Sequence, residues 1–306
     1  MSQLWLGLVP LLVVGTAVLT VLAVRLPAAR APLTEATAVA VARVVEAGQS
    51  PEGRGVLVAI PESGRTRTGL LVLADPVAVE PGAEVTVRYD PDAAGGPSTI
   101  VYADGDAASR AVRDLTAGMA IVAGLLALAT ISTGLVVLTR RRLRRRPPST
   151  ATATRLVVRR GLLVRSWLEL DTARGLSWVP VFWTAELAGL AADSRIELRG
   201  DPSHDRLVLP VVGGAEVWPS GRVRNRAPRG EQRAPRAGSR APSMGMARQV
   251  RVDAVVAVAA PLLGLLWAYV DGSGVAGFAA ATALSAAGLF WLFQLLGSDP
   301  ESPARG

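Results

Sequence analysis

The sequence predicts a membrane protein of mixed α and β structure, with four transmembrane helices, a small β domain outside and a small β-barrel-like domain inside. Three observations lead to this fold class. Half of the 306 residues are hydrophobic and the mean hydropathy is +0.34, with the hydrophobic residues concentrated in four long segments. The two long polar segments between them contain β-type alternation, and arginine is unevenly divided between those two segments.

Four apolar segments are long enough to cross a bilayer, whose hydrocarbon core of about 30 Å requires roughly 20 helical residues. They are residues 4–24, 115–139, 252–270 and 275–296. The third has Asp253 at its edge and Pro261 near its middle. A proline is tolerated in a membrane helix because neighbouring helices can satisfy the carbonyl that loses its hydrogen bond. The fourth has Gln294 near its end. Only residues 271–274 separate these two segments, which predicts an antiparallel helical hairpin.

The first segment has the alternative of being a cleaved signal peptide. Met1, Ser2 and Gln3 supply no positive charge before it, and the apolar run is longer than that of a typical signal peptide. Retention as a transmembrane helix is therefore the favoured interpretation.

The orientation is predicted from arginine, because all 33 basic residues are arginine. Residues 140–251 carry 23 arginines against nine acidic residues, whereas residues 26–115 carry eight arginines against twelve acidic residues. Positively charged loops stay in the cytoplasm. Arg25 and Arg30 give a weaker signal in the opposite direction. We therefore expect a multi-pass protein of the cell membrane with both termini in the cytoplasm.

A polybasic juxtamembrane segment, residues 140–150, follows the second helix. Its arginines are Arg140, Arg141, Arg142, Arg144, Arg145 and Arg146. The simpler interpretation is a topology signal, and the compatible functional one is contact with anionic lipids of the bilayer. Nucleic acid is not an expected partner, because no aromatic residues are interleaved with these arginines.

Residues 26–114 predict an outer β domain, which begins with a linker at residues 26–34. Five short β-type runs follow, at residues 37–45, 55–60, 69–73, 84–90 and 99–102. The clearest alternation places Val85, Val87 and Tyr89 on one face of a half-buried strand. The segment 90–97, rich in Asp, Gly and Pro, then predicts a turn.

The outer domain has a characteristic order of segments. A membrane helix is followed by a β-rich run that begins ATAVAVARVVEAG, then by Pro81-Gly-Ala-Glu-Val-Thr-Val-Arg-Tyr-Asp-Pro-Asp92, and then by a second helix. This arrangement resembles the bacterial domain-of-unknown-function 3592 membrane protein family over roughly residues 5–140. Its mark, a turn glycine before an alternating strand that ends in Tyr-Asp-Pro, matches Gly82, Tyr89, Asp90 and Pro91. The resemblance implies a small β domain on the membrane and no established activity.

Residues 151–220 predict an inner β domain of about six short strands, of barrel-like form, that folds alone. Trp167, Trp178, Trp183 and Trp218 belong to it, and they form either its core or a surface for a partner; core is the favoured interpretation. Residues 221–250 are rich in Arg, Pro, Ala and Gly and predict a flexible basic linker.

The residues needed for most catalytic and metal sites are missing from the sequence. Cysteine is absent, and His204 is the only histidine, in a turn at residues 200–205 where a catalytic triad cannot form. Four aspartates in the outer domain lack the spacing of a calcium loop and are better explained as solvated turn residues. They are Asp90, Asp92, Asp104 and Asp106. We therefore predict no catalytic residue, no cofactor and no metal.

Two functions fit these expectations. The first is a non-enzymatic interaction, scaffold or signalling module with a β domain on each face of the membrane and an unknown protein partner. The alternative is a small transporter or channel component that acts as an oligomer. Conducting pathways usually require ionisable groups within the membrane, and none lies near the centre of any of the four segments. The first function is therefore favoured.

Overall fold

In a computed structural model, the described residues are 2–49, 53–62, 65–75, 78–92, 100–102, 107–172, 174–233, 253, 258–271 and 274–300. They form two compact units. One contains residues 16–124, and the other contains residues 1–15 and 125–306. Helices α1 (Ser2–Glu35) and α2 (Ala107–Arg141) pass from one unit to the other.

The first unit contains a closed barrel of five strands. These are β1 (Ala38–Gln49), β2 (Gly55–Glu62), β3 (Arg65–Val72), β4 (Glu84–Tyr89) and β5 (Ile100–Tyr102). They are joined in the order β1-β2-β3-β5-β4, and β4 closes the barrel on β1. All neighbours are antiparallel except β3 and β5. The strands coincide closely with the five predicted runs.

The predicted alternation of β4 is confirmed, because Val87 and Tyr89 are buried while Thr86 and Arg88 are exposed. Val87 and Tyr89 belong to the apolar core of the barrel, together with Val58 and Ile60 of β2. Closure of the sheet gives each of the five described strands a neighbour on both sides and lets so small a domain enclose a core.

The linker predicted at residues 26–34 is not separate from the first helix, because α1 continues to Glu35. Pro27 and Pro32 each remove one backbone donor, but the intervening Ala-Ala-Arg-Ala consists of strong helix formers. The backbone N–H of Ala36 donates to the carbonyl of Pro32 (3.3 Å), which closes the last turn.

The second unit contains a sheet of seven strands, which we call the sheet domain. The strands are β6 (Pro148–Arg160), β7 (Leu163–Thr172), β8 (Gly175–Val181), β9 (Ser194–Arg199), β10 (Leu209–Val212), β11 (Ala215–Glu216) and β12 (Glu231–Arg233). The order is β11-β10-β9-β6-β7-β8, and β12 also pairs with β6. A single-turn helix, α3 (Ala185–Ala188), packs Leu187 into the main core with Leu168 and Leu198.

The strand order of the sheet domain ends at β11 and β8 without closing, so the barrel-like form predicted for residues 151–220 is not confirmed.

The predicted linker also needs correction. Residues 221–233 lie against the sheet, since Arg224 exchanges backbone hydrogen bonds with Trp178 and β12 pairs with β6. Residues 234–250 of that linker lie outside the described residues.

Two further helices, α4 (Ala260–Asp271) and α5 (Gly274–Leu296), pack along each other. Gly264 lies against Phe278 and Thr282, so the two helices run antiparallel, as the hairpin prediction requires. Among the described residues, three helices are long and apolar enough to cross a membrane: residues 3–35, the helical stretch 107–145, and α5. The third predicted segment is described only at Asp253 and from residue 258, and its apolar helix of 12 residues is shorter than a full crossing.

Candidate functional site at the helix ends

The polybasic segment is divided by the structure into two groups of arginines. Arg140, Arg144 and Arg146 contact the sheet domain. The Nε–H of Arg140 donates to the carbonyl of Pro219 (2.9 Å), and Nε and Nη2 of Arg144 both donate to Oε2 of Glu216 at 2.8 and 2.6 Å. Arg144 also lies 5.6 Å from the ring centre of Trp218.

Arg146 forms an ion pair with Asp205 and donates from Nη1 to the carbonyl of Leu207 (3.3 Å). Individually, such partly exposed pairs contribute little. Together they hold the segment that follows α2 along the sheet domain.

The second group consists of Arg141, Arg142 and Arg145, which are exposed. No hydrogen bond or ion pair joins their side chains to any residue that the structure describes. Leu143, between them in sequence, is buried because this turn is a 3₁₀ helix over Arg142–Arg145 that packs one residue inward. The sequence pattern alone does not distinguish these three arginines from the three that contact the sheet domain.

A buried ion pair joins the sheet to the chain that follows α5. Arg155 of β6 donates from Nη2 to Oδ2 of Asp299 at 2.9 Å, and both side chains are fully buried. The hydroxyl of Ser166 on β7 also donates to Oδ2 of Asp299, and it accepts from Nε of Arg155 (3.2 Å). The backbone N–H of Asp299 donates to the carbonyl of Val164 (2.8 Å), so residue 299 is fixed at both backbone and side chain.

A second set of buried polar groups continues from this pair. Asp253 accepts from Nε2 of Gln294 and from the hydroxyl of Ser298, both at 2.5 Å. The carbonyl of Ser298 accepts from Nε2 of Gln3 (2.5 Å), at the start of α1. Gln3, Asp253, Gln294 and Ser298 are all buried. We call these residues, with Arg155, Ser166 and Asp299, the polar junction.

An apolar cluster accompanies the polar junction. Leu4 of α1, Leu143 after α2, and Phe182, Leu209 and Trp218 of the sheet domain are buried together. Leu295 of α5 packs against the same cluster. The ends of three helices and the sheet domain therefore share one core, so the sheet domain is fixed to the helices and not tethered to them.

Close approach of the helices depends on Gly7 of α1. A Cβ at this position would lie 2.7 Å from Cβ of Gln294 and 3.1 Å from Cα of Trp291. The indole N–H of Trp291 in turn donates to the hydroxyl of Thr133 on α2 (3.0 Å). Alpha-helices α1, α2 and α5 thus contact one another next to the polar junction.

The family-like motif lies at the end of β4 in the barrel. Gly82 has φ +92° in the turn before the strand, a conformation that favours glycine. Arg67 of β3 donates from Nη1 to the carbonyl of Asp90 and from Nη2 to that of Pro91, both at 3.1 Å. Its guanidinium lies 5.7 Å from the ring centre of Tyr89. The motif therefore has a structural explanation as a strand end held by Arg67, a residue that sequence analysis missed.

His204 lies in the predicted turn and is exposed. Its Nδ1 is 2.6 Å from Oδ2 of Asp201 and its Nε2 is 2.6 Å from Nη1 of Arg174. The hydrogen bond to His204 is the main cause that lowers the pKa of Asp201. No group of three or more His, Asp or Glu side chains suited to a metal ion occurs among the described residues.

Three of the four tryptophans in the sheet domain, Trp167, Trp178 and Trp218, are buried, and Trp183 is half-buried. The indole N–H of Trp178 donates to Oε2 of Glu169 (2.9 Å). Trp167 and Trp178 belong to a small cluster with Val158 that is separate from the main core. Burial supports the interpretation of these residues as core.

Comparisons with protein-family models, with curated proteins and with solved structures found no match. The resemblance to the domain-of-unknown-function 3592 family therefore stays a prediction.

Proposed function

We propose that the chain is a non-enzymatic membrane-anchored interaction or signalling module, whose sheet domain moves with the membrane helices and presents a surface to a protein partner. The polar junction is the observation that carries this proposal. Removing one member of a buried ion pair costs about 3–5 kcal/mol. The fully buried pair of Arg155 and Asp299 therefore favours one arrangement of the sheet domain on the helix ends.

A rigid attachment has a functional consequence. A flexible tether isolates a domain from its membrane anchor, whereas a shared core transmits a shift or rotation of the helices to the domain. In this proposal, an event that changes the packing of the helices changes the position of the partner surface.

Four membrane crossings are part of the proposal, with both termini and the sheet domain in the cytoplasm and the barrel outside. The crossing added to the three long apolar helices is the third predicted segment, residues 252–270. Asp253 contacts Gln294 and Ser298 at one end of α5, and Asp271 is three residues before Gly274 at its other end. The two described ends of this segment, Asp253 and Asp271, therefore lie beside the two ends of α5, which supports a crossing of similar length. The excess of arginine in residues 140–251 supports the orientation.

Arg141, Arg142 and Arg145 are assigned to anionic lipid headgroups. They are exposed beside the end of α2, and a basic residue near an anionic surface gains about 1 kcal/mol. The alternative of a transporter or channel component is less favoured, because the buried ionisable side chains of the second unit that the structure describes, Arg155, Asp253 and Asp299, lie in the sheet or at the helix ends and not midway along a helix.

Affinity capture with the full chain tests the proposal. The native chain, Asp299→Ala and the matched control Asp171→Ala, at an exposed position of β7, are each captured from cross-linked cells. We expect a protein retained by the native chain and the control and lost with Asp299→Ala. A partner set that does not change with Asp299→Ala, or solute flux through the reconstituted native chain, would contradict the proposal.

A further inference from the structure

A basic groove of about 610 Å³ lies on the sheet domain, away from the polar junction. Five arginines line it: Arg160, Arg165, Arg224, Arg226 and Arg229. Trp167 forms part of its floor, and no carboxylate is among the described residues that line it. Side chains of a strand alternate between the two faces of a sheet, so Arg165 and Trp167 of β7 face away from Leu168 and the main core.

The outer wall of this groove is the segment 224–230, which crosses from β8 to β6. At one end, Arg224 exchanges backbone hydrogen bonds with Trp178 of β8 at 2.8 and 2.9 Å. At the other end, Gly230 has φ +140° and lies so close to the carbonyl of Arg159 that a Cβ would clash with it. The segment is therefore anchored on both sides, and its arginines are positioned over the sheet.

Positive charge is concentrated in the groove, because its described lining residues include five arginines and no carboxylate. The guanidinium groups of Arg165 and Arg224 lie 5.5 and 5.1 Å from the ring centre of Trp167. Nε of Arg165 is buried and has no hydrogen-bond partner among the described residues, although Nη2 donates to the hydroxyl of Ser220 (3.0 Å). Burial, and to a lesser extent repulsion by Arg224, lower the pKa of Arg165 to about 10, so that it stays protonated near pH 7.

Arginine in such a setting binds phosphate well, because its planar guanidinium donates two hydrogen bonds to neighbouring oxygens. A stacked base is a poor fit, since Trp167 is only 4% exposed and both guanidinium groups lie near its ring. The ligand chemistry that matches the groove is therefore a compact phosphate group.

The position of the groove favours one source of that phosphate. Arg165 pairs with Ser298, two residues after the end of α5, and its partner Ser220 lies beside Gly297. In a chain that crosses the membrane with α5, this wall of the groove lies at the level where phospholipid headgroups begin. We propose that the groove is a phosphate-binding site for the headgroup of an anionic phospholipid.

This site is distinct from Arg141, Arg142 and Arg145, and it depends on α5 crossing the membrane but not on a protein partner. The test uses the full chain in detergent, with phosphatidylglycerol, phosphatidylcholine and inorganic phosphate as separate probes. Native mass spectrometry counts retained lipid, and calorimetry measures binding of phosphate. The variant is Arg165→Gln/Arg224→Gln, and the charge-matched control is Arg174→Gln/Arg195→Gln, at exposed positions of the same domain outside the groove.

We expect the native chain and the control to retain phosphatidylglycerol in preference to phosphatidylcholine, and the groove variant to bind it about tenfold or more weakly. If only the affinity for inorganic phosphate falls, the groove binds phosphate but the lipid assignment is wrong. If neither affinity differs from the control, the site is refuted. Should Arg165→Gln/Arg224→Gln fail to fold, Arg226→Gln/Arg229→Gln provides the same comparison at exposed groove positions.

Discussion

Arg155 and Asp299 are separated by 144 residues in sequence and meet in a site that excludes water. Neither residue is conspicuous in the sequence. Arg155 occupies a strand position that alternation assigns to the core, and Asp299 follows the last apolar segment. Only the assembled structure explains why a charge is tolerated at each position, since each neutralises the other and Ser166 satisfies a further donor.

The first prediction concerns this pair. Asp299→Ala leaves the guanidinium of Arg155 buried without its carboxylate and should cost about 3–5 kcal/mol of stability. Thermal unfolding in detergent, followed by circular dichroism, measures the loss. Arg155→Met/Asp299→Leu removes both charges and should recover part of the lost stability. Asp171→Ala, at an exposed position, should leave the melting temperature nearly unchanged. Equal melting temperatures for Asp299→Ala and the control would show that the pair does not stabilise the fold.

The second prediction concerns Arg67, whose side chain holds the end of β4 in the barrel. Arg67→Ala removes the two hydrogen bonds to the carbonyls of Asp90 and Pro91 and should cost roughly 1–3 kcal/mol. Hydrogen exchange at the amides of β4 should accelerate. Arg88→Ala, an exposed change on β4 itself, serves as the control. If both variants exchange at the native rate, the structural explanation of the family-like motif fails.

At the scale of elements, the contact between α4 and α5 depends on a glycine that the sequence does not distinguish from its neighbours. A Cβ at Gly264 would lie 3.0 Å from the carbonyl oxygen of Phe278 and closer still to the hydroxyl of Thr282. At Gly288 of α5, by contrast, a Cβ would meet nothing within 4 Å. The two glycines therefore form a matched pair for testing the hairpin.

Gly264→Ala should separate the two helices and lower stability by about 1–3 kcal/mol, the usual cost of overpacking. Gly288→Ala should be neutral or slightly stabilising, since alanine favours helix by up to about 1 kcal/mol. Melting of the full chain in detergent compares the two. An equal effect of both substitutions would contradict the close approach at Gly264.

The sheet domain provides the next prediction. The sequence predicts that residues 151–220 fold alone, but the structure extends the sheet to residues 148–233 and supplies Asp299 as the partner of Arg155. A fragment of residues 148–233 should therefore be poorly stable, because it leaves Arg155 uncompensated. The same fragment with Arg155→Met should show dispersed β-type NMR signals and a higher melting temperature. A native fragment as stable as the Arg155→Met fragment would show that the domain does not depend on Asp299.

For the whole molecule, features with a local period could be predicted from sequence. Apolar length located the three helices that are long and apolar enough to cross a membrane, and alternation located the five barrel strands. Features that depend on contacts between residues far apart in sequence could not be predicted. Closure of the barrel requires β4 to pair with β1, and the contact of Gln3 with Ser298 joins residues 295 apart.

Composition alone predicts the wrong local structure in two places. Residues 221–233 have the composition of a linker, but backbone pairing with β6 and β8 fixes them against the sheet. The prolines of residues 26–34 suggested an irregular segment, but the strong helix formers between them continue α1. The same composition places the groove arginines Arg224, Arg226 and Arg229 in the predicted linker.

We propose that residues 26–114 lie outside the cell and residues 151–220 inside it, and this orientation can be tested directly. The chain contains no cysteine, so single cysteines report accessibility without interference. Glu80→Cys changes an exposed turn residue of the barrel unit, and Asp171→Cys changes an exposed residue of the sheet domain. On intact cells, an impermeant maleimide should label the Glu80→Cys variant at once and the Asp171→Cys variant only after lysis. The reverse pattern, or labelling of both variants on intact cells, would contradict the orientation.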